Sequence, residues 1–209
     1  MFHRSTTTAF ANSRGAVLSV IAFAFSGLVA TPALADADNY SRTLKSTAWV
    51  ITSDADNETS TGTGVYVDSE KRLVLTNAHV VGDSRSAVVF FPDFRGDSPV
   101  VKRKHYLDGV LKLAYRGKVV AVDRGRDLAL IELAKTPSTA TPIELADESL
   151  SPGSDVDVIG NPGGSDVLWV YTSGTVRSVY AKRFKSDHGS HNFKVVEIQS
   201  PIRQGDSGG

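Results

Sequence analysis

Gly205-Asp206-Ser207-Gly208-Gly209 is the stretch on which the reading of this chain turns. Glycines on both sides of a serine let the backbone follow a tight, partly positive-φ path, so that successive N–H groups aim at one point in space. At that point a tetrahedral intermediate of acyl transfer would place its negative oxygen, next to the hydroxyl that attacks. A Gly/Ser-rich chain end is also the composition of a flexible polar tail. The pentapeptide leaves both readings open, and the rest of the sequence must supply what a working serine needs.

A serine hydroxyl at neutral pH is a weak nucleophile. It requires a base within hydrogen-bond reach and a carboxylate that fixes the tautomer of that base. The chain has five histidines, His3, His79, His105, His188 and His191. His79 lies in Leu73-Val74-Leu75-Thr76-Asn77-Ala78-His79-Val80-Val81, where a strand-like apolar run gives way to a short polar turn, so rigid elements hold it. A structural histidine with one satisfied ring nitrogen is the alternative at such a place. The acid is Asp127 in Arg126-Asp127-Leu128-Ala129-Leu130-Ile131-Glu132-Leu133, opening a nearly continuous apolar strand. Burial would raise its pKa unless it accepted hydrogen bonds, so a working Asp127 is tied to an imidazole N–H and to backbone donors. The alternative is an aspartate that ends a turn, and Asp123 is the rival for the same role.

The segments TGTGVYVD (61–68), LTNAHVV (75–81), RDLALIEL (126–133), IGNPGG (159–164), TSGTV (172–176) and QSPIRQGDSGG (199–209) follow one another in an ordered series. With them the chain resembles a trypsin-fold (chymotrypsin-like) serine peptidase of the bacterial HtrA-like, or Deg-type, branch. The order His, Asp, Ser is that of the chymotrypsin arrangement. Matched motif by motif, the resemblance implies His79 as base, Asp127 as orienting acid and Ser207 as nucleophile, with the backbone N–H groups of Gly205 and Ser207 as the oxyanion hole. It implies an all-β fold of two antiparallel six-stranded β-barrels with the site in the cleft between them. It further implies a polypeptide substrate, hydrolysis through an acyl-enzyme, no cofactor, and a possible homo-oligomer. In that family further strands follow the GDSGG turn, so the second barrel is expected to be incomplete here, and this chain by itself weakly active or inactive. An inactive binding scaffold and an esterase-type acyl hydrolase are the competing functions.

Composition narrows the partners. Lys plus Arg equals Asp plus Glu at 23 each, and Lys102-Arg103-Lys104-His105, the strongest basic cluster, is short and reads as a solvated loop. That argues against nucleic acid. Residues 1–35 read as a secretory signal peptide: Arg4 and Arg14 precede an apolar run from Ala16 to Ala30, and Ala33-Leu34-Ala35 is a small-residue cleavage pattern. The mature chain is then secreted or periplasmic, with no stable membrane anchor. An exported chain with no cysteine relies on its core rather than on disulfides. A new terminus at Asp36 is not the Ile-Val-Gly-Gly type that pairs with the aspartate before the serine in trypsin-like zymogens, so Asp206 finds another partner or stays solvated. His188 and His191 lack a carboxylate or cysteine at ligand spacing, and no metal site is read there.

Runs rich in Val, Ile, Thr and aromatics recur between turn signals, with no sustained helical period. First-barrel strands are predicted at 48–52, 64–68, 73–76, 87–91, 113–123 and 128–133, with His79 on a short helical turn after the third. A Pro/Thr/Ala linker at about 135–142 leads to strands at 155–160, 169–180 and 193–200. The peptidase domain is placed at 36–209, with the first barrel at about 46–134 and the partial second barrel at about 150–209.

Overall fold

The computed structural model describes residues 32–54, 58–186 and 189–209. The signal-peptide reading falls almost wholly on residues outside that set, as does His188; residues 32–35 open a helix.

The apolar alternation of the first half closes a barrel. Strands β1 (Thr47–Ser53), β2 (Thr59–Asp68), β3 (Leu73–Thr76) and β4 (Ser86–Phe90) precede a two-stranded ribbon, β5 (Phe94–Arg95) and β6 (Ser98–Pro99), and the barrel ends with β7 (Ala114–Asp123) and β8 (Leu128–Leu133). The hydrogen-bonded order around the closed barrel is β1-β2-β3-β8-β7-β4, antiparallel throughout. Because side chains alternate along a strand, β8 sends Ala129, Ile131 and Leu133 inward, where they meet Val50, Tyr66, Val74 and Val89. Closure also leaves no free strand edge.

β1 is buried on both faces, and this positions the second half of the chain. Ala48 and Val50 point into the barrel, whereas Trp49 points out and stacks on Phe90 at 5.2 Å between ring centroids. A second apolar cluster grows on that outer face from Leu44, Tyr106, Ile159, Leu168 and Trp169. It lies against a three-stranded sheet of β9 (Asp155–Gly160), β10 (Val170–Ser186) and β11 (Gly189–Gln199), in the order β11-β10-β9. The fold is therefore all-β, with a complete first barrel and an incomplete second.

Three elements depart from the sequence reading. Helix α1 (Pro32–Ser46) was not foreseen. Its apolar stripe is narrow: Tyr40 meets Tyr171 edge-on, and Leu44, 1% exposed, enters the second cluster. Asn39 also donates to the Asp157 carboxylate. The Lys102–His105 cluster is not a solvated loop. Lys102 bridges to Val167, and Arg103 opens a short helix, α3 (Arg103–Asp108), followed by α4 (Val110–Leu113). The β10–β11 hairpin extends beyond Tyr180, pairing Ala181 with Lys194 and Ser186 with Gly189. Its outer part is too polar to show alternation, and Phe184 stacking on His191 at 4.6 Å and meeting Phe193 edge-on supports it instead.

Truncating Ile131, fully buried in the barrel, to alanine is expected to lower the unfolding free energy by about 2–5 kcal/mol in urea titrations. Leu111→Ala, at a side chain 98% exposed, should change it by less than about 0.5 kcal/mol. Equal effects at the two positions would contradict this packing.

Candidate active site

The register of two neighbouring strands brings the histidine to the aspartate. Thr76 at the end of β3 pairs with Ala129 near the start of β8, so the residues just after β3 and just before β8 emerge at the same end of the barrel. Helix α2 (Ala78–Val81) begins there with Asn77 as its N-cap. The Asn77 side chain does not cap the helix; its Nδ2 donates to the Asp127 carbonyl at 2.8 Å. The Asp127 carboxylate then grips His79 twice, accepting its backbone N–H at Oδ1 (2.9 Å) and meeting Nδ1 at Oδ2 (2.8 Å). An ionised carboxylate only accepts, so Nδ1 carries the proton and neutral His79 keeps Nε2 as its basic nitrogen. Asp127 adopts φ 56°, the left-handed region, which aspartate tolerates better than most residues.

Asp123, the rival acid, is occupied elsewhere. Its carboxylate accepts the Arg126 backbone N–H at 2.9 Å and meets the Arg126 guanidinium at 2.6 Å, folding the turn that precedes Asp127. The hydrogen bonds and charge of Arg126 hold its pKa below the ordinary carboxylate value.

The serine loop is held from β2. Thr63 N–H donates to the Ser207 carbonyl (2.8 Å) and Thr63 Oγ1 to the Gly205 carbonyl (3.1 Å). Thr76 Oγ1 donates to the Thr63 carbonyl (2.6 Å), so the strand leading to His79 braces the residue that braces Ser207. Close approach at Gly62 places the loop beside α2: a Cβ there would stand 2.6 Å from Val80 Cγ2 and 3.1 Å from the Ser207 carbonyl oxygen. Gly205 takes φ 97°, as the sequence requires, and a Cβ on it would collide with Gly163 N at 2.2 Å. Asp206 Oδ2 accepts the Arg203 N–H at 2.8 Å, which is its other partner, while Oδ1 is buried without one. Among the described residues the N–H groups of Gly205 and Ser207 donate to no protein acceptor, and Ser207 Oγ makes no hydrogen bond, to His79 or to any other group.

Thr63 and the fully buried Asn161 escaped the sequence reading. Asn161 N–H donates to Thr63 Oγ1 (2.9 Å), its Nδ2 to the Ala48 carbonyl (3.1 Å), and its Oδ1 accepts the Trp169 N–H (3.1 Å). A polar residue flanked by glycines within a strand was the available signal for Thr63. Two cavities share Thr59 and Ser60 in their walls. One of about 340 Å³ has His79 on its wall, and one of about 370 Å³ is closed by Gly163, Gln204 and Gly205.

Comparison with known proteins identifies relatives of this chain. A family described as trypsin-like peptidase domain matches residues 62–209. The chain is 31% identical over 149 residues to a probable periplasmic serine protease do/HhoA-like of Haemophilus influenzae, covering 71% of this chain and 27% of that protein. It is 29% identical over 198 residues to a serine protease HtrA-like of Staphylococcus aureus, covering 84% and 23%. The chain thus spans about a quarter of the length of these curated relatives. Among solved structures, the active form of the Rv3671c protease from M. tuberculosis superposes with a TM-score of 0.62 at 27% identity, covering 85% of this chain and 69% of that one.

The turn before Asp127 gives a direct electrostatic check. In a carboxyl-detected NMR titration Asp123 should protonate below the usual aspartate midpoint, and Arg126→Met should move that midpoint upward. The sign follows from the depressed pKa: whatever the pair contributes to the turn is present above the ordinary carboxylate pKa and lost as pH falls through the folded value. An unmoved midpoint in Arg126→Met would contradict the pairing.

Proposed function

We propose, proceeding from the fact that this chain belongs to the trypsin-like peptidase family and to its HtrA-like branch, that it is the catalytic portion of a serine endopeptidase acting on polypeptides. His79 is the general base, Asp127 its orienting carboxylate and Ser207 the nucleophile. His79 Nε2 takes the Ser207 Oγ proton as Oγ bonds to the substrate carbonyl carbon, and the carbonyl oxygen becomes the oxyanion. The C–N bond then breaks as the imidazolium gives its proton to the leaving amine. Water, deprotonated by His79, releases the acyl group and returns the serine hydroxyl. The N–H groups of Gly205 and Ser207 receive the oxyanion, each donor worth about 3–4 kcal/mol in the transition state.

The observation that carries this reading is the double grip of Asp127 on His79, through the backbone N–H and Nδ1. A carboxylate used only to end a turn has no reason to reach across to a histidine on another element. The two unsatisfied N–H groups beside Ser207 support it from the other side of the cleft. In apo enzymes the nucleophile–base contact is commonly long and tightens when substrate binds. A secreted or periplasmic location follows the signal-peptide reading, and the Haemophilus relative named as periplasmic supports it. Among the described residues no helix is long and apolar enough to cross a membrane. The peptidase domain occupies 36–209, with barrels at about 46–134 and about 150–209.

The missing Ser207–His79 hydrogen bond is the one observation that favours an inactive scaffold, and kinetics separates the two. In the protein expressed from its full reading frame, Ser207→Ala and Asp127→Asn should each lower kcat/KM for an unfolded polypeptide by about 10⁴-fold or more. Turnover that survives Ser207→Ala within tenfold contradicts the assignment. Turnover of esters with none of peptides would move it to an acyl hydrolase.

A further inference from the structure

Arg103 lies on α3, outside both sheets, yet its side chain reaches the connection between β9 and β10. Its Nε donates to the Ser165 carbonyl (2.8 Å), its Nη2 to the Pro162 carbonyl (2.6 Å), and its backbone N–H to the Asp166 carbonyl (2.9 Å). The guanidinium carbon stands 4.6 Å from the centroid of the Trp49 ring on the barrel wall. A planar fork can hold two carbonyls of one irregular loop at once while stacking on an aromatic face; an ammonium can do only part of this.

The loop it holds, residues 161–166, touches the serine loop at one decisive peptide. Gly163 N–H donates to the Gln204 carbonyl at 2.8 Å. The Gln204 carbonyl and the Gly205 N–H belong to the same trans peptide unit, in which C=O and N–H point in opposite directions. Anchoring that carbonyl therefore aims the Gly205 N–H the other way, away from the Gly163 N–H. On its remaining side Gly205 is packed against Asn161 O and Gly163 N so closely that a Cβ would stand 2.8 and 2.2 Å from them. A shift of this loop is transmitted to the Gly205 peptide with little slack.

We infer that Arg103 is a positioning residue for the oxyanion hole, acting through Pro162, Gly163 and Gln204 on the N–H of Gly205. The inference rests on the peptidase reading above. It assigns a catalytic consequence to the segment between the ribbon and β7, which contains none of the reacting groups. Donor placement matters at the ångström scale, where a misplacement of about 1 Å costs about a hundredfold in rate.

The test uses the protein expressed from its full reading frame and counts active sites with a fluorophosphonate, so that each rate is expressed per reactive serine. Arg103→Met, which keeps an apolar stem over Trp49, should lower kcat per titrated site by about ten- to a hundredfold. KM should stay within about threefold and the midpoint of the pH–rate profile should not move. A peptide aldehyde, which binds as a tetrahedral adduct, should weaken in parallel with kcat. Arg103→Lys should recover part of the loss, and Lys104→Met, at a neighbour whose ammonium contacts only Asp108 among the described residues, should match the wild type. If Arg103→Met leaves kcat per titrated site unchanged, the inference is overturned, also where the number of titratable sites falls, since that is a stability effect alone. Wild-type protein without Ser207-dependent turnover would instead sink the peptidase reading, a failure visible before Arg103 is altered.

Discussion

The site depends on one carboxylate held in an uncommon backbone conformation. Asp127 sits at φ 56°, which costs an L-residue roughly 1–2 kcal/mol. Three hydrogen bonds to residues 77–79 offset that cost: the carbonyl takes Asn77 Nδ2, and the two carboxylate oxygens take the backbone and ring of His79. In an extended conformation Asp127 would continue the alternation of β8 and point along the barrel wall. The left-handed residue ends the turn that Asp123 and Arg126 fold, and swings the carboxylate toward α2. Strain at Asp127 thus persists because the surroundings over-determine it.

The second constraint is Thr63. A buried hydroxyl on the outer face of the barrel needs partners, and this one takes the Asn161 N–H and donates to Gly205, while its backbone N–H donates to Ser207 and its carbonyl accepts Thr76 Oγ1. One residue of β2 therefore connects the strand that leads to His79, the loop that carries Ser207 and the β9–β10 connection. The aromatic cluster of Trp49, Phe90, Tyr106 and Trp169 fixes the same relation from outside the barrel. Few elements of the second half are needed to place Ser207, which is consistent with an ordered loop beside an incomplete sheet.

What was legible in the sequence was whatever local chemistry dictates. The six strands of the closed barrel, the helical turn at His79 and the left-handed glycine at 205 follow from alternation, turn residues and steric freedom, and the structure has them. The approach of Asp127 to His79 was legible as a pairing, but its geometry was not, because it depends on the register of β3 against β8. The helices at 32–46, 103–108 and 110–113 were missed because few of their described apolar side chains are buried, Leu44 in the first, Tyr106 in the second and none in the third, too few to produce a helical period. Lys102–His105 read as solvent-facing from its charge. The fate of Arg103 was set by carbonyls some 60 residues away, and composition carries no record of such partners.

The central claim is that Ser207 is activated by the His79–Asp127 pair. It is tested most directly by mass-spectrometric mapping of the protein after brief exposure to a fluorophosphonate, alongside the His79→Ala variant. The account predicts a single phosphonyl adduct on the peptide containing Ser207, formed rapidly in the wild type and suppressed by about a thousandfold or more without the imidazole. An unmodified Ser207, or labelling indifferent to His79, would contradict it.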